Sequence, residues 1–99
     1  MDININSIHF SADKKLKQLI TTKVNKLTTF HDGLVNAEVN LKIDKSDSRE
    51  NKIAEVKVFV KGGDLFAKKQ SKTFEEAIDE CLDAMRRQLL KHKEKERKI

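Results

Sequence analysis

The sequence predicts an α+β domain with the element order β-α-β-β-β-α, in which a four-stranded sheet carries two helices packed on one face. Three patterns support this fold class. Apolar residues alternate with polar ones over nine positions from Val35 to Ile43, which is typical of a half-buried strand. Residues 12–28 and 74–89 instead repeat apolar residues at helical spacing. Because each helical stripe must be buried, both helices are expected to cover the same face of the sheet.

The first strand and helix are predicted from the N-terminal thirty residues. Ile3 and Ile5 alternate with polar residues within 2–8, which indicates a short strand with one buried face. Ser11 is the predicted N-cap of helix one, and Asp13 is placed in its first turn, where a carboxylate complements the helix dipole. The helix is expected to end near residue 28, and a turn at 31–33 leads into the second strand.

The remaining elements follow from turn and capping signals. Residues 44–51 contain no apolar side chain and are predicted to form a loop or hairpin end. Apolar residues alternate again over 54–60, and Gly62-Gly63 supplies a tight turn. Residues 65–71 are expected to form a shorter antiparallel strand. Thr73 and Glu76 match a capping box at the start of helix two, whose apolar stripe ends near Leu89.

Length and composition indicate one soluble domain spanning residues 1–99. The single Cys excludes an internal disulfide and a zinc site built from several thiolates. The N-terminus has no basic leader followed by an apolar segment, and no apolar run is long enough to cross a membrane. We therefore expect a cytoplasmic protein.

Catalysis receives little support from the residues present. Cys81 lies in the apolar stripe of helix two, which favours a packed thiol. His9, His31 and His92 are scattered along the chain. The acidic residues at the start of helix two are more typical of dipole compensation than of a metal site. We predict neither an enzyme nor a cofactor or metal.

The basic charge of the chain is concentrated at its C-terminal end. Residues 86–99 contain seven Lys or Arg and two Glu, and so carry the whole formal net charge of +5. Residues 1–85 hold 14 basic and 14 acidic side chains and are formally neutral. A local excess of cations favours an anionic partner, although bases also complement the C-terminal end of a helix dipole. This segment, expected to project from the core, is therefore either a binding surface or a solvated helix end.

Other lysines have two interpretations each. Lys23 lies within the apolar stripe of helix one, so its ammonium either extends to the edge of the core or points along the groove between the helices, beside Lys26. Lys68, Lys69 and Lys72 precede helix two. They either extend the basic surface or protect an edge strand from strand addition.

The aromatic residues limit which classes of anionic partner the sequence predicts. Phe59 and Phe66 are expected on the open face of the sheet, and the other three Phe in or beside the core. An RNA-recognition motif needs aromatics within its own motif and the order β-α-β-β-α-β, and neither is present. A membrane-binding helix would need a larger apolar face than Leu89 and Leu90 provide. We therefore expect Lys and Arg to contact RNA phosphates, with strong salt dependence.

The sequence resembles the ribosome hibernation promoting factors and ribosome-associated inhibitors over essentially its whole length. The run GGDLFAKKQSKTFEEAIDECLDAMRRQLLKHKEK contains a Gly-Gly turn, an extended strand and a helix with the family pattern AID-x-x-x-D-x-x-x-RQL-x-K-x-K. The segments KVNKLTTF and VNLKI of the first half are also similar. The pattern is matched in helix two by Phe74, Ala77, Ile78, Asp79, Asp83, Arg87, Gln88, Leu89, Lys91 and Lys93.

The resemblance implies the same fold and a monomeric protein that binds the small ribosomal subunit in the channel for mRNA and tRNA. It implies contacts between ribosomal RNA and basic residues of both helices, a block of translation, and preservation of inactive ribosomes in starvation. Carried over by position, the RNA contacts are expected from Lys23, Lys26, Arg86, Arg87, Lys91 and Lys93.

The chain departs from the family pattern at Ala84, where members often carry Lys, and Arg86 is expected to compensate. We expect a short form without the second domain through which long members pair two ribosomes. Such a form silences single ribosomes or pairs them only with another factor. Two other functions stay open: a generic double-stranded-RNA-binding domain, whose usual order is α-β-β-β-α, and a protein-interaction module whose basic helix binds an acidic partner.

Overall fold

The predicted order of elements is confirmed by the computed structural model, which describes residues 1–8, 10–31, 33–44 and 49–97, with side chains of the last helix as far as His92. Two helices, a short 3₁₀ segment and four strands follow one another along the chain. They are β1 (Asp2–Ile8), α1 (Lys14–Asn25), the 3₁₀ segment (Lys26–Thr29), β2 (Leu34–Ile43), β3 (Lys52–Val60), β4 (Gly63–Ser71) and α2 (Phe74–Arg97).

The four strands form one sheet in the order β1-β2-β3-β4. β2, β3 and β4 make the predicted antiparallel meander, while β1 pairs parallel to β2. A parallel partner requires a crossover, and α1 provides it. Gly62 adopts φ 92° in the turn between β3 and β4. The last strand begins at Gly63, two residues earlier than predicted, because Gly63 already pairs with Val60.

One face of the sheet is buried and both helices cover it, as predicted. Alternate residues of β2 and β3 point into this core, and the apolar stripes of α1 and α2 pack against them. The cluster contains Ile20, Val24, Leu27, Ala37, Val39, Leu41, Ala54, Val56, Val58, Val60, Ala67, Ala77, Ile78, Cys81, Met85 and Leu89. The opposite face carries the polar residues of the four strands and remains open.

The predicted alternation of β2 is wrong at its first position. Val35 is 60% exposed, whereas Leu34 packs against the core. The register shifts here, because Leu34 pairs with Val60 and Asn36 pairs with Phe59. The chain therefore advances by two residues in β2 but by only one residue in β3. Such a bulge leaves one residue unpaired and changes the face to which the preceding residues point.

The predicted N-cap of α1 is wrong. Asp13, not Ser11, is the N-cap, and its carboxylate accepts a hydrogen bond of 2.7 Å from the backbone N–H of Leu16. Both residue types cap well, but Asp13 also adds a negative charge at the positive end of the helix dipole. The helix therefore starts two residues later than predicted, at Lys14, and changes to 3₁₀ geometry at Lys26.

The capping prediction for α2 is confirmed in its first half. The Thr73 hydroxyl accepts a hydrogen bond of 3.1 Å from the backbone N–H of Glu76. Within the described residues, the return bond from the Glu76 carboxylate does not form. Phe74 stacks on Phe10 with ring centroids 5.0 Å apart, which places both rings at the rim of the core. The helix then continues to Arg97, and Leu89 is its last core residue among the described side chains.

Candidate functional site

A groove between the end of α1 and the middle of α2 collects several of the predicted site residues. It encloses about 260 Å³ and is lined by charged and apolar side chains from both helices and the 3₁₀ segment. These are Lys23, Lys26, Leu27, Phe30, Asp79, Leu82, Asp83 and Arg86. We call this feature the interhelical groove. It exists because α1 and α2 pack on the same face of the sheet and contact each other.

The change from α to 3₁₀ geometry shapes one wall of the groove. The backbone N–H of Lys26 bonds to the carbonyls of Lys23 and Val24 at the end of α1. The hydroxyls of Thr28 and Thr29 donate to backbone carbonyls three residues earlier, at 2.8 and 2.7 Å. These bonds satisfy carbonyls that a helix end leaves without partners. The tighter segment presents Lys26 at the rim of the groove.

Lys23 crosses the groove and pairs with carboxylates of α2. Its Nζ lies 2.5 Å from Oδ1 of Asp79 and 3.9 Å from Oε1 of Glu75. Of the two interpretations of this lysine, the structure favours the one in which it points along the groove, because its ammonium reaches carboxylates of α2 across the groove. The ammonium is thus positioned by α2, although the residue belongs to α1.

Asp83 pairs with both arginines that follow it on α2. Its Oδ1 lies 3.3 Å from Nη2 of Arg86, and its Oδ2 lies 3.2 Å from Nη2 of Arg87. The Arg86 guanidinium also lies over the ring of Phe30, with Cζ 5.8 Å from the ring centroid, within the range of a cation–π contact. Arg86 therefore belongs to the groove, while Arg87 lies on the other side of Asp83.

The other predicted contacts differ in position. Lys26 and Lys91 are exposed and have no ion pair with any described residue. Lys91 lies on α2 beyond Arg87, away from the groove. Lys93 belongs to α2, but its side chain is outside the described part of the structure. The structure thus brings Lys23, Lys26 and Arg86 together, and it places the later basic residues along the continuing helix.

The electrostatics of the groove are mixed, which the sequence reasoning did not anticipate. Lys23, Arg86 and Arg87 each have a carboxylate of α2 within 4 Å. The spacing of Asp83 before Arg86 and Arg87 is the i,i+3 and i,i+4 signal from which two of these pairs could have been predicted. The Lys23–Asp79 pair has no such signal, because 56 residues separate its members.

The lysines before α2 do not line this groove. Lys68 and Lys69 belong to β4, which is an edge strand, and Lys72 follows it. Lys72 instead lines a separate depression with Phe10 and Phe74 at the N-terminal end of the helices. All three lysines are exposed. Their role as an extension of the RNA surface stays a prediction.

The open face of the sheet carries balanced charge. Lys57 lies 3.5 Å from Asp64, and Lys42 lies 3.4 Å from Glu55. Phe66, 50% exposed, points to this face as predicted, and Phe59 shares it, since the buried residues of β3 alternate with it. Two lysines of this face are therefore paired with carboxylates of neighbouring strands.

Two histidines that are far apart in the sequence lie together. The ring centroids of His31 and His92 are 5.3 Å apart, and Nδ1 of His31 accepts a hydrogen bond of 2.8 Å from the backbone N–H of Gly33. No local pattern predicts this contact, because it joins α2 to a distant segment of the chain. His92 extends the contact between α2 and the segment that leads into β2 by nearly one turn.

The described residues offer no evident catalytic group. The Cys81 thiol donates to the carbonyl of Ala54 at 3.2 Å, and burial raises its pKa to about 11. The thiol is protonated near neutral pH, which confirms its packing role. In the described part of the chain, no group of three or more His, Cys, Asp or Glu is placed to bind a metal ion. No described helix is long and apolar enough to cross a membrane.

Comparison with known proteins identifies a family and several relatives. The family model described as "Sigma 54 modulation protein / S30EA ribosomal protein" matches residues 3–97. The chain is 30% identical over 95 residues to the ribosome hibernation promoting factors of Klebsiella oxytoca and Escherichia coli K12, covering 96% of either chain. It is 27% identical over 99 residues to that of Pseudomonas putida KT2440, covering all of this chain and 93% of the relative.

Two solved structures share the fold at 20% sequence identity. A ribosomal subunit interface protein from Coxiella burnetii superposes with a TM-score of 0.83, covering 94% of this chain and 98% of the other. The N-terminal domain of Thermus thermophilus Protein Y gives a TM-score of 0.81, covering 93% and 99%. At this identity the likeness shows that the β-α-β-β-β-α architecture is shared.

Proposed function

The chain belongs to the sigma 54 modulation protein / S30EA ribosomal protein family, and on this premise we propose that it is a ribosome hibernation factor of the cytoplasm. It binds the small ribosomal subunit through ribosomal RNA in the channel for mRNA and tRNA, blocks translation and preserves inactive ribosomes. It acts by occupying space and catalyses no reaction. It binds as a monomer, and any pairing of ribosomes requires a second factor.

The meeting of basic residues from both helices at one groove is the observation that carries this proposal. Lys23 and Lys26 from the first helix region lie opposite Arg86 from α2, and the exposed Lys91 follows on the same helix. This arrangement of cations from two helices suits contacts with the phosphates of a folded RNA. Among the described residues, the open face of the sheet carries two Lys–carboxylate pairs.

Counterion release supplies most of the binding free energy in this mechanism. The six proposed residues are Lys23, Lys26, Arg86, Arg87, Lys91 and Lys93. If each neutralises one phosphate, log affinity falls with log salt concentration at a slope of about −4 to −5. Removal of one contact is expected to reduce the slope by about one unit.

Reversal of two charges tests the proposal. Arg86→Glu combined with Lys91→Glu should weaken binding to purified small subunits at least about tenfold and flatten the salt dependence by about two units. Co-sedimentation across a salt series measures both quantities. The wild-type protein should bind saturably and be displaced by mRNA together with tRNA. Both residues are exposed, so circular dichroism should show an unchanged fold.

A matched control reverses two charges elsewhere. Lys14→Glu with Lys17→Glu alters the first turns of α1, where acidic residues suit the helix dipole. This variant should bind like wild type. Equal loss in both variants, or no binding of wild type at low salt, would sink the proposal. Full competition by duplex RNA would favour a generic double-stranded-RNA binder, and binding that survives RNase would favour an acidic protein partner.

A further inference from the structure

The carboxylates of the interhelical groove are not explained by phosphate binding. Asp79 and Asp83 are each about half exposed, and their ion pairs with Lys23, Arg86 and Arg87 lie at the surface. Exposed ion pairs of this kind contribute little to stability. A surface that bound only phosphate oxygens would bind them better without two negative charges beside its cations. The carboxylates therefore fit a ligand that presents hydrogen-bond donors as well as negative charge.

The groove also has an apolar floor. Leu27 is 3% exposed, and Phe30 and Leu82 are partly buried against the core. The Arg86 guanidinium lies over the Phe30 ring, with Cζ 5.8 Å from the ring centroid. Unstacked RNA bases are commonly bound on aromatic rings and guanidinium planes. The groove thus combines a surface for a base, cations for a phosphate and acceptors for a base edge.

The volume of the groove limits the size of the ligand that it can bind. Its 260 Å³ is slightly below the range of about 300–1,000 Å³ that is usual for pockets binding drug-sized molecules. The space suits a single base with part of its sugar, while a duplex is too wide. Only an unpaired nucleotide of the RNA can place its base on the floor between Phe30 and Leu82.

We propose that the interhelical groove binds one unpaired nucleotide of the RNA whose base carries an exocyclic amino group, with Asp79 and Asp83 as its acceptors. The phosphate of this nucleotide lies at the rim, beside Lys26. This subsite rests on the proposed function, because it assigns a base-specific contact to the same RNA-binding surface. Cytosine is the simplest such base, since its amino group is a donor that carboxylates accept.

The two carboxylates retain the capacity for this contact. Asp83 uses Oδ1 for Arg86 and Oδ2 for Arg87, while Asp79 uses Oδ1 for Lys23. An ionised carboxylate has about four acceptor positions, so each residue can accept further hydrogen bonds. The paired cations fix the direction of both carboxylates. Uracil places one carbonyl oxygen, O4, where cytosine has its amino group, and the carboxylates repel it.

The test compares two labelled RNA hexanucleotides, all-cytidine and all-uridine, by fluorescence anisotropy at low salt. Wild-type protein should bind the cytidine oligomer at least about fivefold more tightly, the lower end of the discrimination expected for a good base contact. In Asp79→Asn with Asp83→Asn, both oligomers should bind more tightly because two negative charges are lost. The ratio between them should fall below about twofold.

Glu80→Gln provides the control for charge alone. Glu80 lies on the same helix, is exposed and has no ion pair with a described residue. This variant should keep the wild-type preference for cytidine. Equal binding of the two oligomers by wild type, or a preference that survives in the double variant, would overturn the subsite.

Small-subunit co-sedimentation in parallel separates the two hypotheses. Wild-type protein that binds small subunits but neither oligomer, or both equally, overturns the subsite and leaves the proposed function standing. Wild-type protein that fails to bind small subunits overturns the proposed function. A preference for cytidine together with small-subunit binding that is weakened by competing cytidine oligomer supports both.

Discussion

At the residue scale, single carboxylates organise the basic side chains of the groove. Asp83 orients two arginines through separate oxygens, and Asp79 brings the ammonium of Lys23 across from the other helix. These pairs are exposed, so their contribution to stability is small. Their effect is to hold long, flexible cations in defined directions. The proposed binding surface is therefore partly pre-organised, with a carboxylate beside each positioned cation.

Cys81 gives a residue-scale prediction on stability. Burial raises the thiol pKa from 9.0 to about 11. The folded protein therefore binds this proton more tightly than the unfolded chain, and the corresponding stability is complete below pH 9 and falls as the pH rises towards 11. Between about pH 8 and about pH 10.5, wild type should lose about 2 kcal/mol more of its free energy of unfolding than Cys81→Ala.

Urea unfolding of both proteins at the two pH values measures this difference. Cys81→Ala should be less stable at either pH, because it leaves a small cavity and removes the bond to the Ala54 carbonyl. The free energy of unfolding of Cys81→Ala should nevertheless change less with pH than that of wild type. If both proteins lost the same free energy of unfolding between the two pH values, the thiol of Cys81 would not be the cause of the loss.

At the element scale, the ends of helices and strands shape the working surface. The change of α1 to 3₁₀ geometry at Lys26 presents that residue and Phe30 at the groove. On the far side of α2, the Gln88 side chain donates a hydrogen bond of 3.0 Å to the carbonyl of Phe66. Since β4 is an edge strand, this bond and the exposed lysines of β4 make strand addition less favourable.

The turn between β3 and β4 gives an element-scale prediction. Gly62 has φ 92°, and a Cβ added to it would meet no other atom within 4 Å, so the cost of a side chain there arises from the backbone alone. Gly62→Ala should lower the free energy of unfolding by about 1–2 kcal/mol. Gly63→Ala is the matched control, since its φ lies outside the left-handed region and its surroundings are also open.

Chemical denaturation of the two alanine variants distinguishes backbone strain from other causes. Gly63→Ala should stay within about 0.5 kcal/mol of wild type. Similar losses in both variants would show that the turn is sensitive to any substitution, and the left-handed conformation would not be the reason.

At the scale of the whole molecule, the core residues and most of the residues proposed to bind RNA lie in different parts of the chain. Residues 1–85 are formally neutral, and residues 86–99 carry the net charge of +5. Among the residues whose side chains the structure describes, the apolar core takes its last contribution from Leu89, while the backbone of α2 continues to Arg97. A helix of 24 residues is about 36 Å long, and about 12 Å of it follows Leu89.

Truncation after His92 tests this division. Residues 93–99 contain four Lys or Arg and two Glu. The core cluster of the described residues ends at Leu89. The chain 1–92 should melt within a few degrees of wild type and keep its contact between His31 and His92. Its binding to small subunits should weaken, with a salt slope about one unit flatter, because Lys93 is the only one of the six proposed contacts that the truncation removes.

Thermal melts and salt-dependent co-sedimentation make the measurement. A chain 1–92 that unfolds at much lower temperature would show that the last residues stabilise the domain. A chain 1–92 that binds with unchanged affinity and unchanged salt slope would show that the removed segment is a solvated helix end.

The order of elements, the strand faces beyond the first position of β2, the Gly62 turn and the Thr73 cap could all be predicted from the sequence. These follow from patterns within a few residues, since periodicity and capping are local properties. The family resemblance implied RNA contacts from basic residues of both helices, such as Lys26 and Arg86, and these contacts stay a proposal. Where two local signals competed, as with Ser11 and Asp13, the sequence did not decide between them.

Which charged groups of different helices meet follows from the tertiary structure alone. Lys23 and Asp79 are 56 residues apart and adjoin because both helices pack on one face of the sheet. The contact of His31 with His92 and the pairing of β1 parallel to β2 have the same origin. Such contacts depend on how completed elements pack against each other, and no pattern within one element specifies them. The mixed charge of the interhelical groove is therefore a property of the fold.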